Sequence, residues 1–417
     1  MERKTGNMNM FWEVKSKFVL PSNRFWRTLK ADKVALAAFC FVILLFLLSV
    51  FCFVISPDHT RLANRVCLPI GNQPPGFEVT LLKVAENNPT EVTGYFSKML
   101  FGLPGNDQYI PISSSHYEGN DIVVNEFSAS GDSSFESRFN IADVVYHLNT
   151  SKAITERNGG LFFETTDGLV LEESVNDIQG IIDGQNLVKK KFLLGTDRMG
   201  RDVLSRILVA TRATIWTASL TTIIALVLGF IFGMIAILGR RIKGFMLWLI
   251  QSVSSVPVMI LIAAIMFSIG NGFWHICIVS GIVFSAAIAR TTIYSVASAR
   301  EQGFIETSEA LGLTKWHILK KQVLPGIVKP LVISVATVFC GAILLESALG
   351  FLGVGVKNPF PSWGAMVRES FGYIIVPGYA YLTLLPGFAI ILVSLAFVVL
   401  ANQVHVTSKE NTGQWLV

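Results

Sequence analysis

The chain has 417 residues, of which 52% are hydrophobic and only 15% are charged, and its mean hydropathy is +0.54. Soluble globular domains are nearer a quarter charged, so this composition excludes an ordinary soluble protein and indicates an integral membrane protein. The net charge of +5 is modest. The basic residues flank apolar runs and do not form the stripe that nucleic-acid binding requires.

Residues 1–33 form a basic segment that carries eight lysines and arginines. By the positive-inside rule, this segment predicts a cytoplasmic N-terminus. The apolar run that follows, Val34–Ile55, is long enough to be a complete membrane-spanning helix. No A-x-A cleavage site follows it, so we interpret residues 34–55 as an uncleaved first transmembrane helix and not as a signal peptide.

Residues 58–191 have a different composition, rich in Asn, Ser and Gly, with 18 acidic and 10 basic residues. Short alternating pieces such as FEVTLLKV, DIVVNEF and GLFFETT predict strands separated by turns. The segment is long enough for a small domain. We therefore predict a β-rich extracytoplasmic insertion between the first and second membrane spans.

Residues 193–403 contain five further apolar runs that are long enough to cross a hydrocarbon core. These runs are Ala213–Leu238, Phe245–Ile269, Phe273–Val296, Leu331–Val354 and Tyr379–Leu400. Helix is the expected state, because an unpaired backbone group in lipid is too costly. Together with the first run they predict an all-α polytopic membrane protein of six transmembrane helices, whose tail, residues 404–417, returns to the cytoplasm.

The charged group Asp197, Arg201 and Asp202 precedes the second apolar run. Two interpretations are open: a local charged network beside the span, or a solvated amphipathic turn. Trp363, which follows a proline in the connection before the last run, is interpreted as an interfacial anchor.

The connection between the fourth and fifth runs, residues 299–326, is polar and longer than most connections between helices. Its first part favours helix, with Glu306 and the small Ala310 four residues apart on one face. Gly312 suits a helix C-cap with positive φ. We therefore predict a structured element that contacts a partner; the alternative is an ordinary amphipathic connector.

The second part of this loop is predicted to be another short helix. Thr314 can cap its N-terminus. Leu324 and Pro325 are expected to end it, because proline disfavours helix at the residue before it. The result is two helical arms joined at Gly312, with Lys320 and Lys321 predicted to face the cytoplasm.

The sequence lacks four common motifs of nucleotide binding, metal binding and catalysis: G-x-x-x-x-G-K-[ST], H-E-x-x-H, C-x-x-C and G-x-S-x-G. The six histidines are scattered, which does not predict a metal site. We expect no catalytic residue, metal or cofactor in this chain. A receptor or a hydrolase that uses the outer segment is an alternative class. A receptor predicts a cytoplasmic output domain and a hydrolase predicts a nucleophile beside a base, and neither is recognisable.

The loop resembles the EAA loop of ABC-importer permeases, whose pattern is E-A-A, three residues, Gly, nine residues and Ile-x-Leu-Pro. The matching residues are Glu306, Gly312, Leu324 and Pro325, whereas Thr307 and Ser308 replace the alanines and Gln322 replaces the isoleucine. Three further stretches are similar to C-type subunits of oligopeptide and dipeptide permeases. They are Phe25–Phe39, Leu193–Ile215 and Glu346–Val367.

This resemblance implies the ABC type I importer permease fold, in the inner membrane of a bacterium. It implies a second permease subunit, two cytoplasmic ATPase subunits that bind ATP, and an extracytoplasmic solute-binding protein that delivers peptide. Glu306, Ala310, Gly312, Leu324 and Pro325 would then form the loop that couples to the ATPase. Similar permeases carry nickel or other peptide-like solutes, and nothing in the spans chooses between these cargoes.

Glu346 lies within the predicted fifth span, where a carboxylate is costly and usually faces protein or water. Two interpretations stay open. The residue lines the translocation pathway or its gate, or it is an acid near the interface that reaches headgroups or caps a neighbouring helix.

Overall fold

The computed structural model describes residues 23–409, with gaps at residues 88–93, 104, 106, 129–134, 158–159, 240, 302–307, 309, 311 and 357–359. The chain divides into two compact units. Unit 1 consists of residues 1–44, 217–345 and 391–417, and unit 2 of residues 45–216 and 346–390.

Most of the described residues are helical. The helices are α1 (Asn23–Ala31), α2 (Lys33–Ile55), α3 (Tyr95–Phe101), α4 (Ile141–Val145), α5 (Val175–Ile181), α6 (Val203–Leu238), α7 (Lys243–Ser255), α8 (Val258–Ile269), α9 (Phe273–Glu301), α10 (Lys315–Ile318), α11 (Leu324–Leu352), α12 (Trp363–Ser370) and α13 (Tyr381–Lys409). Short 3₁₀ turns cover Leu68–Ile70 and Phe371–Tyr373, and π-helical turns cover Ile182–Asn186 and Leu319–Val323.

Strands occur between α2 and α6. They are β1 (Phe77–Ala85), β2 (Asp107–Glu118), β3 (Asp121–Glu126), β4 (Glu136–Asn140), β5 (Thr155–Arg157), β6 (Gly160–Glu164), β7 (Val170–Ser174) and β8 (Leu187–Phe192). Five of them form an antiparallel sheet in the order β4-β3-β2-β1-β8, and the other three form a sheet in the order β5-β6-β7. The three alternating pieces noted in the sequence lie in β1, β3 and β6.

The larger sheet buries one face against α4, α5 and the π-helical turn that follows α5. Leu82 and Ile122 from the sheet, Ile141 from α4, Ile178 from α5 and Ile182 from the turn are all fully buried in one apolar cluster. The alternation of the strands is explained by this arrangement, because successive side chains point to opposite faces of a sheet.

Five helices within the described residues are long and apolar enough to cross a membrane, namely α2, α6, α9, α11 and α13. The bent pair α7 and α8 would make a sixth if it is one span. The predicted third run, Phe245–Ile269, is therefore not one continuous helix. It bends by 92° because Val256, the residue before Pro257, adopts an extended conformation. Pro386, by contrast, lies inside α13 without interrupting it.

Glycines bring α6 and α9 into close contact within unit 1. A Cβ on Gly229 would lie 2.5 Å from the carbonyl oxygen of Ser285, and one on Gly233 would lie 2.7 Å from the Cβ of Thr292. Gly281 of α9 faces α6 in the same way, since a Cβ there would lie 2.6 Å from the Ile224 side chain. Small residues at such contacts allow apolar helices to associate through backbone packing.

The C-terminal end of α11 packs against α12 within unit 2. A Cβ on Gly364 would lie 2.0 Å from the Ser347 carbonyl oxygen, and Gly353, with φ of +84°, directly follows the end of α11. Trp363 is only 1% exposed, and its Nε1 donates to the Ile207 carbonyl at 3.3 Å. The prediction that this tryptophan is an interfacial anchor is wrong, because α12 packs it inside the unit.

Candidate functional site

The turn at Gly312 in unit 1 has the geometry that the sequence predicts. Gly312 has φ of +79°, and the Leu313 N–H donates to the Ser308 carbonyl at 3.1 Å. This bond spans a C-capping turn whose central glycine is left-handed. Among the described residues other than its chain neighbours, no heavy atom lies within 4 Å of the position of a Cβ on Gly312, and the positive φ is the reason that glycine suits this position.

The second arm begins as predicted but does not end as predicted. Thr314 precedes α10, and its Oγ1 accepts a hydrogen bond from the His317 N–H at 3.4 Å. The arm then continues through the π-helical turn Leu319–Val323 directly into α11. The prediction that Leu324 and Pro325 end a helix is therefore wrong. The π-helical turn widens the hydrogen-bond pattern just before Pro325, whose ring nitrogen has no hydrogen to donate.

The described part of the loop is fixed to the long helices by apolar contacts. Ile318 and Val323 pack with Val296 of α9 and Ile327 of α11 in one buried cluster, to which Leu313 adds a partly buried side chain. The opposite side of the loop is exposed and carries Ala310, Gly312, Lys320 and Lys321. Glu306 lies outside the described residues, so its predicted role stays a prediction.

Unit 2 contains a buried cluster of two arginines and two acids. Arg201 donates from Nε to Asp197 Oδ2 at 2.7 Å and from Nη2 to Glu369 Oε2 at 2.6 Å. Arg206 donates from Nη1 to the same two oxygens, at 2.6 and 2.8 Å. The four side chains are 5–13% exposed. The cluster joins the turn before α6 to α12, and Asn64 Oδ1 accepts from Arg201 Nη1 at 3.0 Å.

Of the charged group noted in the sequence, Asp197 and Arg201 belong to this network and Asp202 does not. Asp202 instead caps α6, accepting from the Leu204 N–H at 3.1 Å and from Ser205 Oγ at 2.8 Å. Sequence analysis missed Arg206 and Glu369. The cluster is a network of alternating charges and not a solvated turn.

The pKa of the Glu369 carboxyl reflects this environment. Burial by itself would raise the pKa, but the guanidinium groups of Arg206 and Arg201 outweigh burial and hold it below its ordinary value of 4.5. A carboxylate whose pKa is lowered on folding stabilises the native state above its unfolded pKa, and that contribution is lost as the pH falls.

We expect the free energy of unfolding of the native chain to exceed that of the Glu369→Gln variant by a constant amount above about pH 5. This difference should shrink as the pH falls below 4.5. Protonation makes the native carboxyl uncharged like the variant amide, which is why the difference shrinks. Thermal unfolding of the detergent-solubilised chain at a series of pH values measures it. A difference that grows on acidification would contradict the assignment of the charge.

Glu346 is fully buried inside unit 2 and not exposed on the surface of the chain. Its Oε2 accepts a hydrogen bond from Thr214 Oγ1 of α6 at 3.0 Å, and its Oε1 has no hydrogen-bond partner in the part of the chain that the structure describes. The contact with Thr214 holds the carboxyl against another helix of the same chain. Whether the residue lines or gates the pathway stays a prediction. The described loop residues belong to unit 1 and Glu346 belongs to unit 2.

Two family models match the sequence. Residues 225–406 match "Binding-protein-dependent transport system inner membrane component", and residues 21–75 match "N-terminal TM domain of oligopeptide transport permease C". The first match contains the whole loop together with α7 to α11. Residues 76–224, which include all eight strands, lie outside both matches.

The relatives are permease proteins of bacterial transport systems. The peptide transport system permease protein SapC of Haemophilus influenzae is 29% identical over 51% of this chain and 72% of its own length. The di/tripeptide transport system permease protein DppC of Pseudomonas aeruginosa is 32% identical over 49% of this chain and 68% of its own length. The probable D,D-dipeptide transport system permease protein DdpC of Escherichia coli is 26% identical over 49% of this chain and 68% of its own length.

A solved structure of a methionine ABC transporter in inward-facing conformations is also similar, at 17% identity and a TM-score of 0.39, over 48% of this chain and 95% of that chain. A likeness at this level supports no conclusion about individual residues. The sequence matches show the family, since a relative of 32% identity is covered over two thirds of its own length. The chain therefore belongs to the inner-membrane permease components of binding-protein-dependent transport systems, and its N-terminus is of the oligopeptide-permease C type.

Proposed function

We propose that this chain is the transmembrane permease subunit of an ATP-driven importer of oligopeptides or dipeptides in the bacterial inner membrane. Its family membership and the peptide-transport names of its relatives support this cargo class. The chain forms half of the translocation pathway, and a second permease subunit supplies the other half. A solute-binding protein delivers the peptide on the outer side.

The loop between α9 and α11 couples the pathway to two cytoplasmic ATPase subunits, which bind the ATP. The observation that supports this role is the division of the loop into two sides. Its apolar side packs on Val296 and Ile327 of the long helices, and its exposed side presents Ala310 and Gly312. A rigid element fixed to two long helices transmits a displacement of a bound partner to both of them.

The proposed topology has six spans, with α7 and α8 counted as one broken span, and both termini in the cytoplasm. Eight lysines and arginines in residues 1–33 and the exposed Lys320 and Lys321 support this orientation. Residues 58–191 form the β-rich domain on the outer side. The chain has no cofactor of its own.

Cysteine labelling tests this arrangement. In a chain with the accessible Cys40 and Cys67 replaced by alanine, Ala310→Cys is expected to react with an impermeant maleimide only in inside-out vesicles, and Ser151→Cys only in intact cells. Ala310→Cys should also crosslink to the ATPase subunit in the assembled complex, whereas Ser151→Cys should not. Labelling of Ala310→Cys from outside the cell would refute the proposed coupling role.

A further inference from the structure

Two polar side chains of the loop contact each other although they are fourteen residues apart in the sequence. Gln322 Nε2 donates to Ser308 Oγ at 2.7 Å, and Ser308 Oγ donates to Gln322 Oε1 at 3.1 Å. Ser308 is only 6% exposed. A polar group buried to this extent is costly unless it has a hydrogen-bond partner, and each of these two residues supplies the partner of the other.

The same two residues are departures from the loop pattern of the family. Serine stands at position 308 where the pattern has alanine, and glutamine stands at position 322 where the pattern has isoleucine. Serine opposite isoleucine would leave the buried hydroxyl of Ser308 unpaired, and glutamine opposite alanine would deprive the partly buried amide of Gln322 of this partner. Their occurrence together in one chain fits a hydrogen-bonded pair in place of an apolar pair.

The position of this pair makes it relevant to coupling. The Ser308 carbonyl accepts the N–H of Leu313 and so closes the turn at Gly312. Gln322 lies in the π-helical turn that leads into α11. The hydrogen bonds between the two side chains therefore connect Ser308, which precedes the Gly312 turn, directly to the N-terminal end of α11.

We propose that Ser308 and Gln322 are positioning residues, whose hydrogen bonds fix the angle between the two arms of the loop. With the angle fixed, a displacement of the partner ATPase reaches α11 as a rigid-body movement and is not absorbed by bending at Gly312. This inference rests on the coupling role proposed above and names the residues that make the loop rigid.

The test uses the full chain, assembled in liposomes with its permease partner and ATPase, and the solute-binding protein as purified from its host. The measured quantity is the ratio of binding-protein-stimulated to basal ATP hydrolysis. Ser308→Ala and Gln322→Ile are each expected to lower the ratio by on the order of 5-fold. A change of this size is at the lower end of the range that coupling between two sites usually produces. The double variant should recover most of the ratio, because its two apolar side chains satisfy each other.

Controls separate positioning from stability. Ser308→Thr keeps the hydroxyl and should retain the ratio. Ser268→Ala removes a serine hydroxyl that donates to the Ala264 carbonyl of its own helix, and it should also retain the ratio. A role in stability alone would lower the thermal midpoint of the single variants and leave their ratio unchanged, and this outcome would overturn the inference. Additive losses in the double variant would overturn it too.

Different experimental outcomes would contradict the inference and the proposed function. If Gly312→Val abolishes the stimulated ratio while the Ser308 and Gln322 variants do not change it, the loop couples but these residues do not position it. If Gly312→Val also leaves the ratio unchanged, the coupling role of the loop itself is wrong.

Discussion

Replacing Gly312 by valine is expected to uncouple ATP hydrolysis from transport while leaving insertion into the membrane intact. Gly312 has φ of +79°, and a residue with a Cβ in this left-handed conformation costs about 1–2 kcal/mol, more for a β-branched one. A cost of that size changes the population of the native turn by a factor of about 5–30. The turn sits on the exposed side of the loop. Its loss would therefore disrupt the surface that we propose contacts the ATPase.

Two matched variants make the Gly312 prediction specific. Gly326 is exposed in α11 with an ordinary helical φ, and a Cβ there also meets nothing within 4 Å. Gly326→Val should therefore retain coupled transport. Gly312→Asn should retain most of it, since asparagine tolerates the left-handed conformation and is close to valine in size. Peptide uptake and ATP hydrolysis are measured in reconstituted vesicles for each of the two variants. Equal losses in Gly312→Asn and Gly312→Val would show that side-chain bulk matters and not φ.

The parts of the loop that could be predicted from sequence depend on near neighbours. The positive φ of Gly312 and the cap at Thr314 each involve residues within five positions of one another. The continuation of the helix through Pro325 could not be predicted in this way. It depends on a π-helical turn whose residue Val323 packs with Val296 of another helix.

The apolar runs predicted the long helices but not the break in one of them. Phe245–Ile269 is apolar on both sides of Pro257, so hydropathy alone gives one run. The prolines at 257 and 386 are equivalent by sequence rules, yet only the first accompanies a 92° bend. Local propensity therefore does not distinguish the proline that accompanies a break from the one that lies inside a continuous helix.

Contacts between distant residues left no signal in the sequence. Arg206 and Glu369 are 163 residues apart, and no local pattern pairs charges at that separation. The charged group before the second apolar run drew attention to Asp197 and Arg201 but did not identify their partner in α12. The burial of Trp363 is of the same kind, because it depends on the close approach of Gly364 to the Ser347 carbonyl.

Changing Glu369 to glutamine is expected to destabilise unit 2 by about 3–5 kcal/mol, the usual cost of removing one member of a buried ion pair. The variant keeps the size of the side chain but leaves Asp197 as the remaining acid of the cluster beside Arg201 and Arg206. Its amide oxygen can still accept from the two guanidinium groups, but the amide carries no negative charge to balance theirs. The thermal midpoint of the detergent-solubilised chain, followed by intrinsic fluorescence, measures the loss.

A matched ion pair on the surface of the same unit serves as the control. Glu78 Oε1 lies 2.7 Å from Lys191 Nζ, but the two side chains are 65% and 56% exposed. Glu78→Gln should move the midpoint little, because solvent and salt screen an exposed pair. Since the two substitutions are chemically identical, a difference between them isolates burial as the cause. Equal shifts in the two variants would mean that the cluster around Glu369 contributes no more than an ordinary surface contact.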